Sequence, residues 1–266
     1  MNNTLTLDRV RELAPAAFST ERAPGLTKRY HTYRTIDVLQ PVLADGWEIA
    51  QAGQAASYAE SDNRFYKRHL IRISKAELVV EDDGDPYRID ALIVNSNDGT
   101  KAFSVELGVY RFLCANGNVT ADTFDSASIR HLYPEEKVMK ACSAIVANAP
   151  RIVEHIAAWK KFELSPEKAL ALAEVGAGLR WGKQPLVEPQ LLTIPHREQD
   201  FGHDLWRVFN TIQEALIRGG QQYVNRNQRT SKVREIRSIA WNLRINRGLW
   251  SAAEALYRGD DLALPS

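Results

Sequence analysis

The chain is poor in several things, and each shortage excludes a class of protein. Its two cysteines, Cys114 and Cys142, cannot build a disulfide scaffold, and no Cys-x-x-Cys or His-x-x-His pair suggests a metal site. No apolar run approaches the roughly 18 residues that a membrane span needs, so no membrane partner is expected. Residues 1–20 hold no apolar core of signal-peptide length and mix Asp8, Arg9, Arg11 and Glu12, so a cytoplasmic protein with reduced thiols is expected. There is no Gly-rich phosphate loop ending in Lys-Ser or Lys-Thr and no Gly-x-Ser-x-Gly elbow. Nor does one sign of charge dominate: 34 Lys and Arg face 33 Asp and Glu, a net charge of +1 over 266 residues. What is present is ordinary for a soluble globular fold, 44% hydrophobic and 25% charged, which excludes a disordered or low-complexity chain.

Periodicity divides the chain. Residues 1–29 read as a peripheral segment broken by Pro15 and Pro24. Residues 30–133 read as a β-rich core, and 134–266 as a helical region with a basic block near its end, able to pack on the core as one domain. Residues 30–35 look like a short strand, with Thr35 capping a helix that contains Pro41 and stops at Gly46. Trp47, Ile49 and Gln51 then alternate with Glu48 and Ala50. Ile71 and Ile73 alternate with Arg72 across residues 69–75, and Ile89, Ala91 and Ile93 keep phase across residues 87–95. Phe103, Val105, Leu107 and Val109 alternate strictly with Ser104, Glu106 and Gly108. Turn chemistry separates these runs at the acidic residues 81–86, at Asn97-Asp98-Gly99 and at Asn116-Gly117. An antiparallel sheet is predicted.

From Pro134 the apolar step becomes three and four, through Val138, Cys142, Ile145, Ala149, Ile152 and Ile156, with Pro150 as a divider. Ser165-Pro166-Glu167 opens a helix expected to end near Gly176 or Gly178. Asp200 or His203 opens another, closed by Gly219-Gly220. Val233, Ile236, Ala240 and Leu243 mark a third, and residues 249–257 a short last one. The predicted fold class is α+β: an antiparallel sheet core in the N-terminal half, then a helical C-terminal half.

The near-neutral total conceals a segregation. Residues 1–200 carry 24 basic and 27 acidic side chains; residues 201–266 carry 10 and 6. Between positions 215 and 248, Arg218, Arg226, Arg229, Lys232, Arg234, Arg237, Arg244 and Arg247 face a single acid, Glu235. Arginine's planar fork grips phosphate oxygens bidentately and stacks on bases. Arg234, Arg237, Trp241 and Arg244 fall at steps of three and four, so the helix predicted there presents them on one face. Residues 221–231 read as a flexible loop carrying Arg226 and Arg229. A second basic stretch, residues 63–76, holds Arg64, Lys67, Arg68, Arg72 and Lys75 with no acid, interleaved with Phe65, Tyr66 and His69. Cations beside aromatic rings suit single-stranded nucleic acid. The competing reading of that stretch is a strand edge charged against aggregation.

Catalytic constellations are weak. His196 and His203, with Glu198 and Asp200 between them, form a local set with metal-ligand chemistry. Asp82, Asp83 and Asp85 read as a solvated turn, and Cys114 and Cys142 as small buried hydrophobes. No catalytic residue, metal ligand or cofactor is assigned.

One stretch is more distinctive. Asn95-Ser96-Asn97-Asp98-Gly99-Thr100 is followed by Gly108-Val109-Tyr110-Arg111-Phe112-Leu113-Cys114-Ala115-Asn116-Gly117. It resembles the phage/plasmid-like family catalogued as domain of unknown function 932, which shows Asn-Ser-His-Asp-Gly-Ser, then an aromatic-Arg pair, a Cys and an Asn-Gly. The likeness runs from about residue 30, through Gly46-Trp47, into the helical half, and is strongest over residues 95–117. Asn97 departs from the pattern, standing where the family has His. An amide does not ionise near neutral pH, so a turn role is expected at that position. The motif reads either as two tight turns, built on Asn95, Ser96, Asp98 and Gly99 and on Asn116 and Gly117, or as Asn95, Asp98, Arg111 and Asn116 converging on one sheet edge. The resemblance implies a bacterial, phage or mobile-element origin and supplies no reaction. At the level of fold alone, a β-rich core with basic strands followed by helices looks like the single-strand annealing proteins of phage recombination.

The function expected is nucleic-acid binding, with single-stranded DNA favoured, in a homo-oligomer that binds or anneals strands without catalysis. Two other classes remain open: a module engaging a host protein, such as an anti-defence factor, and a metal-dependent nucleic-acid enzyme.

Overall fold

Strict alternation of apolar and polar side chains makes the middle of the N-terminal half a sheet. In the computed structural model, which describes residues 4–55, 62–80, 86–111, 117–119, 126–225, 227–236 and 239–262, β1 (Glu48–Gln54), β2 (His69–Val80), β3 (Tyr87–Asn95) and β4 (Phe103–Arg111) are neighbours in that order. After a short β5 (Gly117–Val119), β6 (Ala127–Ile129) pairs antiparallel with β4. Among the described residues the six strands form one sheet, with β5 next to β4, and helices follow, as the antiparallel α+β pattern predicts. The chain forms two compact units: Met1–Val80, Arg88–Val109 and Phe124–Arg151 in the first, and Glu81–Tyr87, Tyr110–Thr123 and Ile152–Ser266 in the second.

In the first unit, α1 (Leu7–Leu13) is capped by Thr6, whose hydroxyl accepts the Arg9 amide, and packs on β1. The Leu5 amide donates to the Ile49 carbonyl at 2.8 Å. Val10, Ala14, Ala16 and Ala17 are fully buried, so this N-terminal segment supplies core. Residues 30–34 form no strand. They are fixed by side chains instead: Tyr33 lies edge-on to Phe103, centroids 6.2 Å apart, and its hydroxyl donates to the Tyr133 carbonyl at 2.7 Å. Helix α2 (Thr35–Ala44) is preceded by Arg34 at the cap position, because the Thr35 hydroxyl is engaged in the core. It contains Pro41, and Gly46 at φ 86° turns the chain into β1. β1 keeps the expected phase only as far as Ile49. Its register against β2 slips between Ile49 and Gln51, so Ala52 is the next buried residue and Gln51 faces out. One inserted residue reverses the phase of a strand.

The helical stripe of Val138 to Ile156 is buried along its length. It is divided, as Pro150 predicts, into α3 (Glu135–Val146), packed on α2, and α4 (Ala149–Trp159). In the second unit, α5 (Pro166–Trp181) begins at Ser165, whose hydroxyl accepts the Lys168 amide. It runs past both glycines expected to stop it and ends at Gly182, φ 70°. Gly176 has another role: a Cβ there would lie 2.8 Å from Leu216 and 3.2 Å from Ile212, so its absence lets α6 (Leu205–Arg218) approach. Asp204, rather than Asp200 or His203, caps α6 by accepting the Arg207 amide at 3.0 Å, and Gly219 ends it at φ 68°. The third and fourth predicted helices are one, α7 (Ile239–Arg258), which packs on α5 and α6. Trp159, Phe209 and Trp250 meet at the centre of the unit, with centroids 4.4 to 5.6 Å apart.

Candidate nucleic-acid interface

The polar stretch after α6 is a hairpin, correcting the flexible loop expected from its composition. β7 (Gln222–Val224) pairs with β8 (Thr230–Lys232), matching Gln222 with Lys232, Tyr223 with Ser231 and Val224 with Thr230. Asn225 organises the tip: its Oδ1 accepts the amides of Asn227 and Arg229, and its Nδ2 donates to the Ser231 hydroxyl at 2.8 Å. Gln228 takes φ 57°, the left-handed conformation that a tight hairpin tip requires. Alternation puts Gln222, Val224, Thr230 and Lys232 on the outward face, and Arg229 is exposed at the tip.

Val233 and Ile236 lie in irregular chain, not helix, which corrects the second expectation about this block. The Val233 amide donates to Gln221, and its carbonyl accepts from Gly220 at 2.9 Å; the Ile236 amide donates to Ile217. Arg234 is exposed between them and therefore shares no helix face with Trp241 and Arg244. Those two do meet, one turn apart at the start of α7. The Arg244 guanidinium lies over the Trp241 ring, 5.4 Å from its centroid, and the indole is 44% exposed. Arg226 and Arg237 lie outside the described residues. Among the described residues no acid pairs with Arg229, Lys232, Arg234 or Arg244.

Sequence patterning alone did not single out Arg180. In the last turn of α5, it donates to the Leu216 carbonyl of α6 and to the Arg234 carbonyl. Burial lowers its pKa to about 10, so it stays charged at neutral pH. A cation in the last turn of a helix closed by glycine is the sequence signal that could have found it.

The other basic stretch is in the first unit, and two of its cations are engaged. Arg72 reaches Asp90 at 3.5 Å, and Lys75 bridges Asp45 at 3.1 Å and Glu77 at 2.7 Å. Arg64 lies 4.8 Å over the Phe65 ring, and Arg64 and Arg68 are exposed with Lys67 half-buried. Asp90 is the centre of a buried charged set that alternation left unremarked. The Arg88 guanidinium clamps its carboxylate at 2.5 and 2.9 Å, and all three groups occupy the face opposite Ile89, Ala91 and Ile93. Burial pushes the Asp90 carboxyl up in spite of both guanidiniums.

The motif residues are brought together as a brace. Asn95 Nδ2 donates to the Thr35 hydroxyl at 3.0 Å and to the Tyr33 carbonyl, while its Oδ1 accepts the Ser96 amide. The Ser96 hydroxyl accepts the Lys101 amide and donates to its carbonyl. Asp98 accepts the Thr100 amide and hydroxyl across a turn at Gly99, φ 78°. Burial raises its carboxyl, but these hydrogen bonds outweigh burial and hold it low. Asn97 is fully buried, donating through Nδ2 to Ala16 and by its amide to Tyr66. Of the remaining motif positions, Asn116 lies outside the described residues, while Arg111 ends β4 and Gly117 opens β5.

Beside the brace lies a pair with nucleophile and base spacing. Lys67 O only accepts, so His69 Nδ1 carries the proton, and Nε2, 2.7 Å from Thr35, accepts its hydroxyl. Burial lowers the His69 pKa to about 4. Thr35 and His69 are both buried to within 1%, so no substrate reaches them and the pair holds the core together. His131 is stacked between Tyr30 and Tyr33 at 4.4 and 4.6 Å and bonds the His31 carbonyl through Nδ1. Among the described residues no three His, Cys, Asp or Glu side chains could hold a metal ion, and residues 81–85 lie outside them. Cys142 is buried, which pushes its thiol up to about 12.

Comparison with known proteins places this chain in a family without assigning a reaction. The model of the family described as "Domain of unknown function (DUF932)" matches residues 26–250. Two proteins of Escherichia coli strain K12, "UPF0380 protein YafZ" and "UPF0380 protein YfjQ", are each 28% identical to it over 255 residues. Each alignment covers 95% of this chain and 91% of the relative. No solved structure matches. The chain belongs to the DUF932 family, a match that takes in the brace at Asn95–Thr100, the hairpin and most of α7.

Proposed function

We propose that this protein binds single-stranded nucleic acid through the β7–β8 hairpin and the first turns of α7, and that it makes and breaks no bond in doing so. The observation that carries the reading is the grouping, in one unit, of Arg229, Lys232, Arg234 and Arg244 without an acid partner among the described residues, together with a half-exposed Trp241 under Arg244. The guanidiniums and the ammonium neutralise phosphates and release counterions. The indole stacks on an unpaired base, which every base permits because each has a π-face. Arg244 over the ring orients that indole and adds a cation beside the strand.

The test is fluorescence anisotropy of a labelled oligothymidylate at low salt. Trp241→Ala is expected to weaken binding by about 5- to 100-fold, the range of one lost base stack. Arg229→Ala/Lys232→Ala/Arg244→Ala is expected to weaken it further. Wild-type protein that fails to bind, or binding unchanged in both variants, overturns the proposal. A protein partner is the second reading, favoured by Val224, which stands 65% exposed on the outward face of the hairpin. A host protein retained by the wild type after nuclease treatment, and lost with Val224→Ser, would favour that reading over the first.

A further inference from the structure

We propose that Arg180 is a positioning residue for the basic surface: it ties the last turn of α6 to the segment leaving the hairpin, and so fixes where Arg234 and the hairpin cations stand. The inference rests on the nucleic-acid reading above.

The need for such a tie follows from the backbone. Helix α6 ends at Arg218; the Ala215 carbonyl accepts the Gly219 amide, and the carbonyls after it need partners from outside the helix. The guanidinium of Arg180 takes one of them, Leu216 O, and with its other terminal nitrogen takes Arg234 O. A lysine has one nitrogen and cannot reproduce that fork. Among the described residues α6 and the hairpin are also joined by the Gln221 side-chain amide, which donates to the Ala215 carbonyl at 3.2 Å, and by backbone pairs: Gly220 to Val233, Val233 to Gln221, and Ile236 to Ile217. Gly219 completes the joint, since a Cβ there would lie 2.5 Å from the Val233 carbonyl oxygen. Arg180 has no acid partner among the described residues. Its charge is balanced by carbonyl dipoles, so it steadies the positive block without neutralising any of it.

The test uses the full chain and the same labelled oligothymidylate, with Arg180→Lys, Arg180→Gln and Arg234→Ala. Arg180→Lys keeps the charge and loses the fork. It is expected to weaken binding about tenfold, the scale of a lost hydrogen bond from a charged donor. The slope of log K against log salt stays at the wild-type value, because no phosphate contact is removed. Hydrogen exchange at the Gly220, Val233 and Ile236 amides speeds up, and exchange in the second half of α7 does not change. Arg234→Ala gives the opposite pair of results: its salt slope falls by roughly 0.7, one phosphate contact on a single strand, and exchange stays as in the wild type.

Wild-type affinity and wild-type exchange in Arg180→Lys overturn the positioning role and leave the nucleic-acid reading standing. A salt slope lowered in Arg180→Gln and kept in Arg180→Lys makes Arg180 a direct phosphate contact, which also overturns it. Failure of the wild type to bind overturns the nucleic-acid reading itself, and with it the purpose assigned to Arg180.

Discussion

His69 carries the clearest consequence of a single buried group. Its ring is 1% exposed and sits between the Thr35 hydroxyl and the Lys67 carbonyl, an arrangement that suits the neutral form. Burial brings its pKa from 6.5 to about 4. The unfolded chain therefore takes up the proton first, and stability falls as pH drops from about 6.5 toward 4, by roughly 3 kcal/mol. His131 is lowered by burial too and adds to the loss. Asp90, raised by burial, works in the other direction. Urea unfolding at pH 7 and pH 4.5 measures this: the wild-type midpoint falls, and His69→Gln is less stable at pH 7 but falls less. Parallel falls in the two proteins would assign the acid sensitivity to another group.

Sequence patterning reached part of this residue scale. Charges at Arg88 and Asp90 alternate with Ile89, Ala91 and Ile93, and sequence patterning passed over them. They did not reveal that their face is buried, because patterning does not tell what covers a sheet. Asn97 was expected to serve a turn; its side-chain amide braces the chain at Ala16, 81 positions away in sequence. Contacts of that separation leave no periodic trace.

Elements were legible where they are long and regular and illegible where they are short or interrupted. β3 and β4 stand where alternation predicts strands, and the stripe from Val138 to Ile156 is buried as its helical step predicts. The stretch from Gly219 to Ile239 does not. Its strands are three residues each, too short to show a period, and Val233 and Ile236 are spaced like a helical step although neither lies in a helix. Glycines misled for a related reason: Gly176 and Gly178 look like helix stops, but Gly176 is there for the close approach of α6. Gly219 serves both purposes. Its φ of 68° disfavours any side chain, and a Cβ would press on a backbone oxygen that cannot turn aside. Gly219→Ala is therefore expected to cost about 1–3 kcal/mol, a strained backbone position with no flexible neighbour to yield. A lowered melting temperature, with faster exchange at Val233 and Ile236, would register it. A melting curve identical to the wild type would mean that the hairpin is not fastened where the backbone bonds place it.

At the scale of the whole molecule, charge is sorted between units more sharply than the net value of +1 suggests. The sheet-bearing unit consumes Arg72 and Lys75 in its own ion pairs, and Tyr66 faces Glu21 at 3.4 Å. The second unit leaves Arg229, Lys232, Arg234 and Arg244 without acid partners among the described residues. If those four cations each neutralise one phosphate of a single strand, log K falls with log salt at a slope of about −3. Affinity then drops roughly 50-fold between 50 and 200 mM salt. Arg64→Ala/Lys67→Ala/Arg68→Ala, in the other unit, is expected to leave that slope unchanged. Equilibrium titrations of the wild type and this variant at five salt concentrations decide the matter. A slope near zero in the wild type removes phosphate contact altogether. A slope reduced by about 2 in the variant would mean that three further cations grip the same strand, and that both basic stretches act together on it.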